Sequence, residues 1–375
     1  MKFRDLNIQY HFLRDEIDRA ISNVLENGNF ISGKQVEELE DTLAEYVGTK
    51  HCITCGNGTD ALTMVLMAWG IKKGDAIFVP DFTFFASGEV VAFEEATPIF
   101  YDVCTDTYNA DVDSLECAIQ KVLEEGELEP KAIIAVDLFG QPADYIQIER
   151  IAKKYNLLVL EDGAQGFGGR IGKRRACSFG DAATTSFFPA KPLGCYGDGG
   201  AVFINDDGLA DYLKSIRVHG KGNYKYDNIR IGWNSRLDTL QAAILQIKFK
   251  ALKEYELDNI NSVADLYTEK LKDILCVPIV KENYFSSWAQ YTIQLESRRQ
   301  RDELQKYLKE KNIPSMIYYP KPMHMQKAFN NKQTKVECFN SIQLCETVLS
   351  LPIHPYMEKD DVQTVVEAVR GYMNV

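Results

Sequence analysis

Long apolar runs are missing from this chain: no stretch approaches the roughly 18–20 residues needed to cross a membrane as a helix, and the opening Met1-Lys-Phe-Arg-Asp5 carries no signal-peptide core. A cytoplasmic protein with no membrane partner is the expectation. Positive charge is also short. The 42 Lys and Arg stand against 54 Asp and Glu, a net charge of −12, which excludes the basic face of a general nucleic-acid binder. It leaves room for an anionic small molecule, since a local group such as Arg217, Arg230 and Arg236 can dominate one cleft. Histidine is scarce, five in all and scattered, so no metal site is legible from spacing. Cys52 and Cys55 form a C-x-x-C with no second pair at zinc spacing, and the nine cysteines read as reduced, packed thiols. Walker and dinucleotide fingerprints, internal repeats and low-complexity linkers are all lacking.

What is present is an α/β rhythm. Ile17, Ile21, Val24 and Leu25 form one helical stripe closed by Gly28, and Val36, Leu39, Leu43 and Val47 form a second closed by Gly48. Short apolar runs then alternate with helical segments at His51–Cys55, Ala76–Val79, Ile99–Tyr101, Ala132–Val136, Leu157–Leu160, Ala183–Phe188 and Ala201–Ile204. Such alternation predicts a mainly parallel sheet covered by helices on both faces. A helical stretch over 237–275 leads to a smaller α+β unit with a strand at Ala289–Leu295 and helices near 299–311 and 359–372. The expected division is a large α/β domain over 1–250 and a small C-terminal domain over 251–375. The acidic segment Val122–Pro130 reads as a solvated surface loop.

Three local patterns carry chemistry. Lys191 lies between Pro189 and Pro192, below an apolar run and above Gly194, Gly197, Gly199 and Gly200. The prolines forbid an ordinary helix and stiffen the backbone, and the glycines allow close approach to a ligand. An exposed lysine titrates near roughly 10.4 and is a poor nucleophile, whereas a buried or cation-flanked one forms Schiff bases. Asp162 ends the buried run 157–160, where open α/β sheets bind ligands, and could pair with the nitrogen of a pyridine ring; Gln165 could reach a ring substituent. Gly56-Asn-Gly-Thr-Asp60 leads into a helix whose first amides, with the Thr59 hydroxyl, make an anion cradle. Cys195, four residues past Lys191, reads as packing. His324 could line the site or cap a turn, and His354 reads as a turn residue.

Together Asn57-Gly-Thr-Asp-Ala-Leu62, Glu161-Asp-Gly-Ala-Gln165, Ser186-Phe-Phe-Pro-Ala-Lys191 and Asn234-Ser-Arg-Leu-Asp238 resemble, in order and spacing, the DegT-type pyridoxal-phosphate sugar aminotransferases. That is a branch of the fold-type I aminotransferases. The lysine separates the chain from relatives in which a histidine stands there and the chemistry is dehydration. The resemblance implies that Lys191 holds the cofactor covalently and moves protons. It puts Asp162 on the pyridinium nitrogen, Gln165 on the ring hydroxyl, Phe84 on the ring face, and Thr59, Ser186 and the Asp60 amide on the phosphate. It also places Asn234 on the phosphate of a partner subunit, implying a homodimer with shared active sites, and leaves Arg236, Tyr318, Tyr319 and His324 as substrate-binding candidates.

The run from Ser186 to Gly200 looks most like members that take an amino group from L-glutamate to C3 of a UDP-2-acetamido-2-deoxy-3-keto-hexuluronic acid, in cell-surface polysaccharide or O-antigen synthesis. A different UDP- or dTDP-linked 3-keto or 4-keto hexose, and a non-transaminase use of the cofactor, are the alternatives. Two departures stand out: Gly163 where relatives have Ala, which should matter little, and Tyr318 where they usually have His, in a substrate-facing segment.

Overall fold

The structure, a computed structural model, describes residues 1–224, 226–329 and 334–374. Its first half alternates as the sequence predicts: helices α1 (Leu6–Asn27) and α2 (Lys34–Val47), strand β1 (His51–Cys55), α3 (Gly58–Ala68), β2 (Asp75–Pro80), α4 (Ala86–Phe93), β3 (Thr97–Tyr101), α5 (Val112–Glu125), β4 (Glu129–Val136) and β5 (Leu158–Asp162). Two short strands, β6 (Arg170–Ile171) and β7 (Arg174–Arg175), precede β8 (Ala182–Ser186) and β9 (Gly200–Ile204). The main sheet has the order β1-β9-β8-β5-β4-β2-β3. β9 runs antiparallel to both of its neighbours, and every other direct pairing is parallel. All six residues of β2 and all five of β9 are buried, so these strands read as continuous apolar runs. Cys52 and Cys55 pack into cores on different faces of the sheet, which explains the C-x-x-C as strand interior.

A second core gathers residues from Ile260 to Val369. It surrounds β11 (Tyr291–Gln294), which pairs antiparallel with β12 (Val348–Leu351); β10 (Tyr284–Phe285) instead joins β6. Sequence reading missed β12 because its apolar run follows the helix Phe339–Thr347 directly, with no turn residue between. The chain runs helically across residue 250, from Thr239 through Leu271, with a π-type turn at Leu252–Glu256.

Two local expectations change. The acidic segment is not a loop: α5 continues to Glu125 and is closed by Gly126 at φ 66°, and Glu129 opens β4. Acidic groups in a last helical turn oppose the dipole, and Glu125 is offset by pairing with Lys335. α1 begins at Leu6 because the Asp5 carboxylate accepts from the amides of Asn7 and Ile8 at 3.0 and 3.1 Å. Leu25, assigned to the buried stripe, is 56% exposed, one position beyond the face that packs on the helix Thr239–Ala251.

The strand ends β4 and β5 enclose two facing carboxylates. Glu161 accepts from the amides of Cys177 (2.5 Å) and Phe179 (2.6 Å). Asp137 Oδ1 accepts from the Ala143 amide (3.0 Å) and the Tyr145 hydroxyl (2.8 Å), while its buried Oδ2 has no partner. Burial pushes Asp137 up to about 7 and raises Glu161 as well; the Asp137 charge opposes ionisation of Glu161, whereas a hydrogen bond from Glu161 favours the ionised form of Asp137. The unfolded carboxyls titrate near roughly 4. Stability from the protonated pair is therefore complete below that pH and is lost as pH rises through about 7. Asp137→Asn keeps the acceptor and puts a permanent N–H toward Glu161. Its melting temperature relative to wild type should climb as the buffer moves from acidic to mildly alkaline; a difference independent of pH would refute the shared-proton account.

Candidate active site

Lys191 sits in the connection from β8 to β9. The loop closes through Phe187 N–H to Gly199 O (2.7 Å), Cys195 N–H to Phe187 O (2.8 Å) and Lys191 N–H to Phe188 O (2.8 Å). Gly194 is required here, since an added Cβ would lie 2.4 Å from the Pro189 carbonyl oxygen. β8 ends at Ser186, two residues short of the expected strand, and Phe188 turns outward at 53% exposure. Burial holds the Lys191 amine below the ordinary lysine range, opposed by nearby Asp162 and reinforced by Arg4. The Cys195 thiol packs into the loop and donates to the carbonyls of Phe187 (3.1 Å) and Gly197 (3.2 Å). Burial raises its pKa, as suits packing rather than nucleophilic use.

Asp162 ends β5, in register with Thr184 of β8, so the carboxylate and the lysine loop occupy neighbouring strand ends. It is buried; Oδ2 accepts from Ser87 Oγ (2.8 Å) and Oδ1 from the Ala164 amide (3.2 Å). Thr83 Oγ1 lies 3.1 Å from Ser87 Oγ, extending the chain of hydroxyls. Burial raises the Asp162 pKa, and the Ser87 and Ala164 bonds and the Lys191 charge pull it back. Ser87 was not singled out from the sequence; its place in the first turn after a buried strand was the available signal. Gln165 accepts from the Phe139 amide (2.8 Å) and donates to Tyr319 Oη (3.1 Å). Tyr319 thus ties the C-terminal segment to the end of β5, with Phe84 at 6.3 Å between ring centroids. Phe84 is 53% exposed. A methyl on Gly163 would meet Cys177 Sγ at 2.7 Å, so an alanine there requires that thiol to move.

The anion cradle forms at the start of α3. Asn57 caps the helix by accepting from the Asp60 amide at 2.8 Å, which removes that amide from the expected phosphate set. The first-turn amides of Gly58 and Thr59 lie ahead of it and have no carbonyl within the helix to reach. Ser235 Oγ donates to Asp60 Oδ2 (2.5 Å) and accepts from the Gly56 amide (2.9 Å), turning the carboxylate toward the back of the loop. Gly58 lies so close to the end of β8 that an added Cβ would come within 2.8 Å of Ser186 Cβ, bringing the Ser186 hydroxyl to the helix start.

The remaining candidates lie farther out. Asn234 is exposed and accepts from Arg236 Nη2 at 2.5 Å; it caps no helix, because the next helix begins at Thr239 after Asp238. Arg217, Arg230 and Arg236 line one cavity of about 560 Å³ with Lys214 and Lys221. Arg217 is partly committed there, bonding Glu40 (2.5 Å) and the Thr54 carbonyl (3.0 Å). Tyr318 is half-buried against Phe3, 6.1 Å between ring centroids. His324 is engaged by Asp81, the residue after β2. Its Nδ1 pairs with Asp81 Oδ2 at 2.6 Å, which raises its pKa, and it lines a separate cavity with Lys121 and Lys335. Asp81, His324 and Cys338 do place ligand-type atoms within 4.8 Å of one another, a grouping invisible in sequence because three distant segments supply it. His354 is buried and held down to about 4.

A partly buried lysine with a lowered pKa, a buried carboxylate on the adjacent strand end and a helix start with open amides define a pyridoxal-phosphate enzyme of the aminotransferase fold. Residues 12–370 match the DegT/DnrJ/EryC1/StrS aminotransferase family, and the chain belongs to it. It is 42% identical over 370 residues, 98% of this chain and 99% of the relative, to the UDP-2-acetamido-2-deoxy-3-oxo-D-glucuronate aminotransferase of Pseudomonas aeruginosa. It is 40% identical to the dTDP-3-amino-3,6-dideoxy-alpha-D-galactopyranose transaminase of Aneurinibacillus thermoaerophilus, across 99% of this chain and 98% of the relative. The crystal structure of a DegT DnrJ EryC1 StrS aminotransferase from Brucella abortus superposes with a TM-score of 0.97 at 47% identity, each chain covered completely. The protein is a pyridoxal-phosphate-dependent sugar aminotransferase.

Proposed function

We propose that this enzyme moves an amino group from L-glutamate to C3 of a UDP-linked 2-acetamido-3-keto-hexuluronic acid, as a cytoplasmic homodimer in cell-surface polysaccharide synthesis. The supporting observation is the Lys191 loop standing beside Asp162 in a chain alignable from end to end with the Pseudomonas 3-oxo-glucuronate aminotransferase. Pyridoxal phosphate supplies the electron sink that lets a proton leave the carbon bearing the amino group. Asp162, buried and braced by Ser87, keeps the ring nitrogen charged, and Gln165, braced by Tyr319, orients the ring hydroxyl. Thr59, Ser186 and the amides of Gly58 and Thr59 hold the phosphate, and Phe84 covers a ring face. Lys191 Nζ, kept reactive by burial, takes the proton from Cα of glutamate and later delivers one to C3 of the sugar. Tyr318 and Tyr319 face the sugar.

The 40% identity to a dTDP-sugar transaminase makes a dTDP-linked 3-keto hexose the second reading. Purified protein with glutamate and a panel of UDP- and dTDP-linked keto sugars decides between them. The UDP-3-keto-uronate should lead in kcat/KM by at least about tenfold, equivalent to about 1.4 kcal/mol of transition-state binding; preference for a dTDP-3-keto-hexose would transfer the assignment.

In the same reading Asn234 and Arg236 act across a dimer interface. Asn234 is exposed and caps nothing in its own chain, and the same segment exposes Tyr224, Ile229, Ile231 and Trp233, at 76%, 56%, 82% and 38%. An apolar patch of this kind marks a contact surface, and a two-fold contact is given and received equally. Refolding Lys191→Ala subunits, inactive alone, with Asn234→Ala/Arg236→Ala subunits puts both lesions in one site of each heterodimer. Activity should recover toward about a quarter of wild type, as half the dimers are mixed and each has one intact site. Verified heterodimers without recovery would mean that both residues serve their own chain.

A further inference from the structure

The lysine loop has a second cation behind it. Arg4 precedes α1 and donates from Nη2 to the carbonyl oxygen of Lys191 itself, at 3.1 Å. The neighbouring Asp5 caps α1, so the base of the arginine is fixed while its head reaches the loop. Nη1 is buried and has no hydrogen-bond partner. The anion acting on it is Glu256, whose Oε1 already accepts from Gln9 Nε2 (2.7 Å) and the Tyr356 hydroxyl (2.5 Å). No ion pair between Arg4 and a carboxylate forms among the described residues. The other titratable groups on this side do not compensate it either. Lys248 is buried, lies 4.8 Å from the Tyr196 ring centroid and is held down to about 8. His354 has a buried, unpartnered Nδ1 and is uncharged at neutral pH, and Cys195 is a protonated thiol. Behind the loop Glu256 is thus shared by two cations, Arg4 and Lys248, while Asp5 and Asp361 act on the His354 side and Asp162 stands in front.

We propose that Arg4 is a positioning residue for Lys191: one arm fixes the peptide that carries the lysine, and the guanidinium charge behind it, opposed by Glu256 but held in no ion pair, favours an uncharged amine. The proposal rests on the assignment of Lys191 as the reacting amine. A like charge and burial are the two ways to depress a lysine, and burial alone would leave Asp162 free to pull the amine back toward its ammonium form. Local sequence offers no hint of this, because 187 residues separate the two partners.

The test uses cofactor-free protein, so that Lys191 titrates as a free amine. Trace acetylation with acetic anhydride across a pH series, read by mass spectrometry, compares Lys191 with surface lysines such as Lys34 and Lys359. In wild type Lys191 should titrate below them. In Arg4→Met its midpoint should rise toward theirs and its labelling at neutral pH should fall several-fold. Arg4→Lys should retain a low midpoint. Arg4→Gln, which keeps a donor for the carbonyl but not the charge, should behave like the methionine variant and serves if that variant fails to fold. An unchanged midpoint in a folded Arg4→Met or Arg4→Gln protein overturns the proposal. Loss of the transaminase reading would show instead as no amino transfer by wild type, with the labelling shift intact.

Discussion

The proposed chemistry depends on keeping a carboxylate and an amine out of water at neighbouring strand ends. Asp162 and Lys191 each lose hydration, and each is perturbed in the direction that burial dictates, the acid upward and the base downward. Burial disfavours the charged form of each group, so the surroundings must make both tolerable. They do so by hydrogen bonding: Ser87 and Ala164 on Asp162, and Arg4 with the closed 187–199 loop around Lys191.

The fold supplies that arrangement cheaply. Parallel strands send their C-terminal ends to one edge, and the reversal at β9 converts the step from β8 into a loop long enough to carry a proline-braced lysine. The same edge receives the start of α3, pressed against Ser186 at Gly58. Tyr319 reaches the site from the C-terminal segment, its hydroxyl accepting from Gln165 Nε2. Large aromatic neighbours such as Phe82, 6.0 Å from the Tyr319 ring, hold that phenol in place by packing rather than by charge.

Much of this was legible in the sequence, for identifiable reasons. Lys191, Asp162 and the 56–60 loop announced themselves because proline, glycine and a strand-terminal acid constrain the backbone locally, and the seven main strands because a buried parallel strand needs a continuous apolar run. What stayed hidden depends on distant contacts. β12 follows a helix without a turn, Ser87 and Arg4 act through partners 75 and 187 residues away, and Asp81 claims His324 from 243 residues off. The acidic run resembles a loop by its charge alone, whereas its helical register carries α5 to Glu125. Asn57 also took the Asp60 amide, a detail of capping that spacing alone does not reveal.

Asp162, buried and braced by Ser87, is proposed to hold a positive charge on the ring nitrogen of the cofactor. Nitrogen-15 NMR of the protein loaded with ring-labelled pyridoxal phosphate reports that proton directly. The wild-type signal should stay at the pyridinium position from mildly acid to mildly alkaline buffer, and in Asp162→Asn it should move to the unprotonated position while the fold is retained. A neutral ring nitrogen in the wild-type protein, or an unchanged signal in the asparagine variant, would contradict the account.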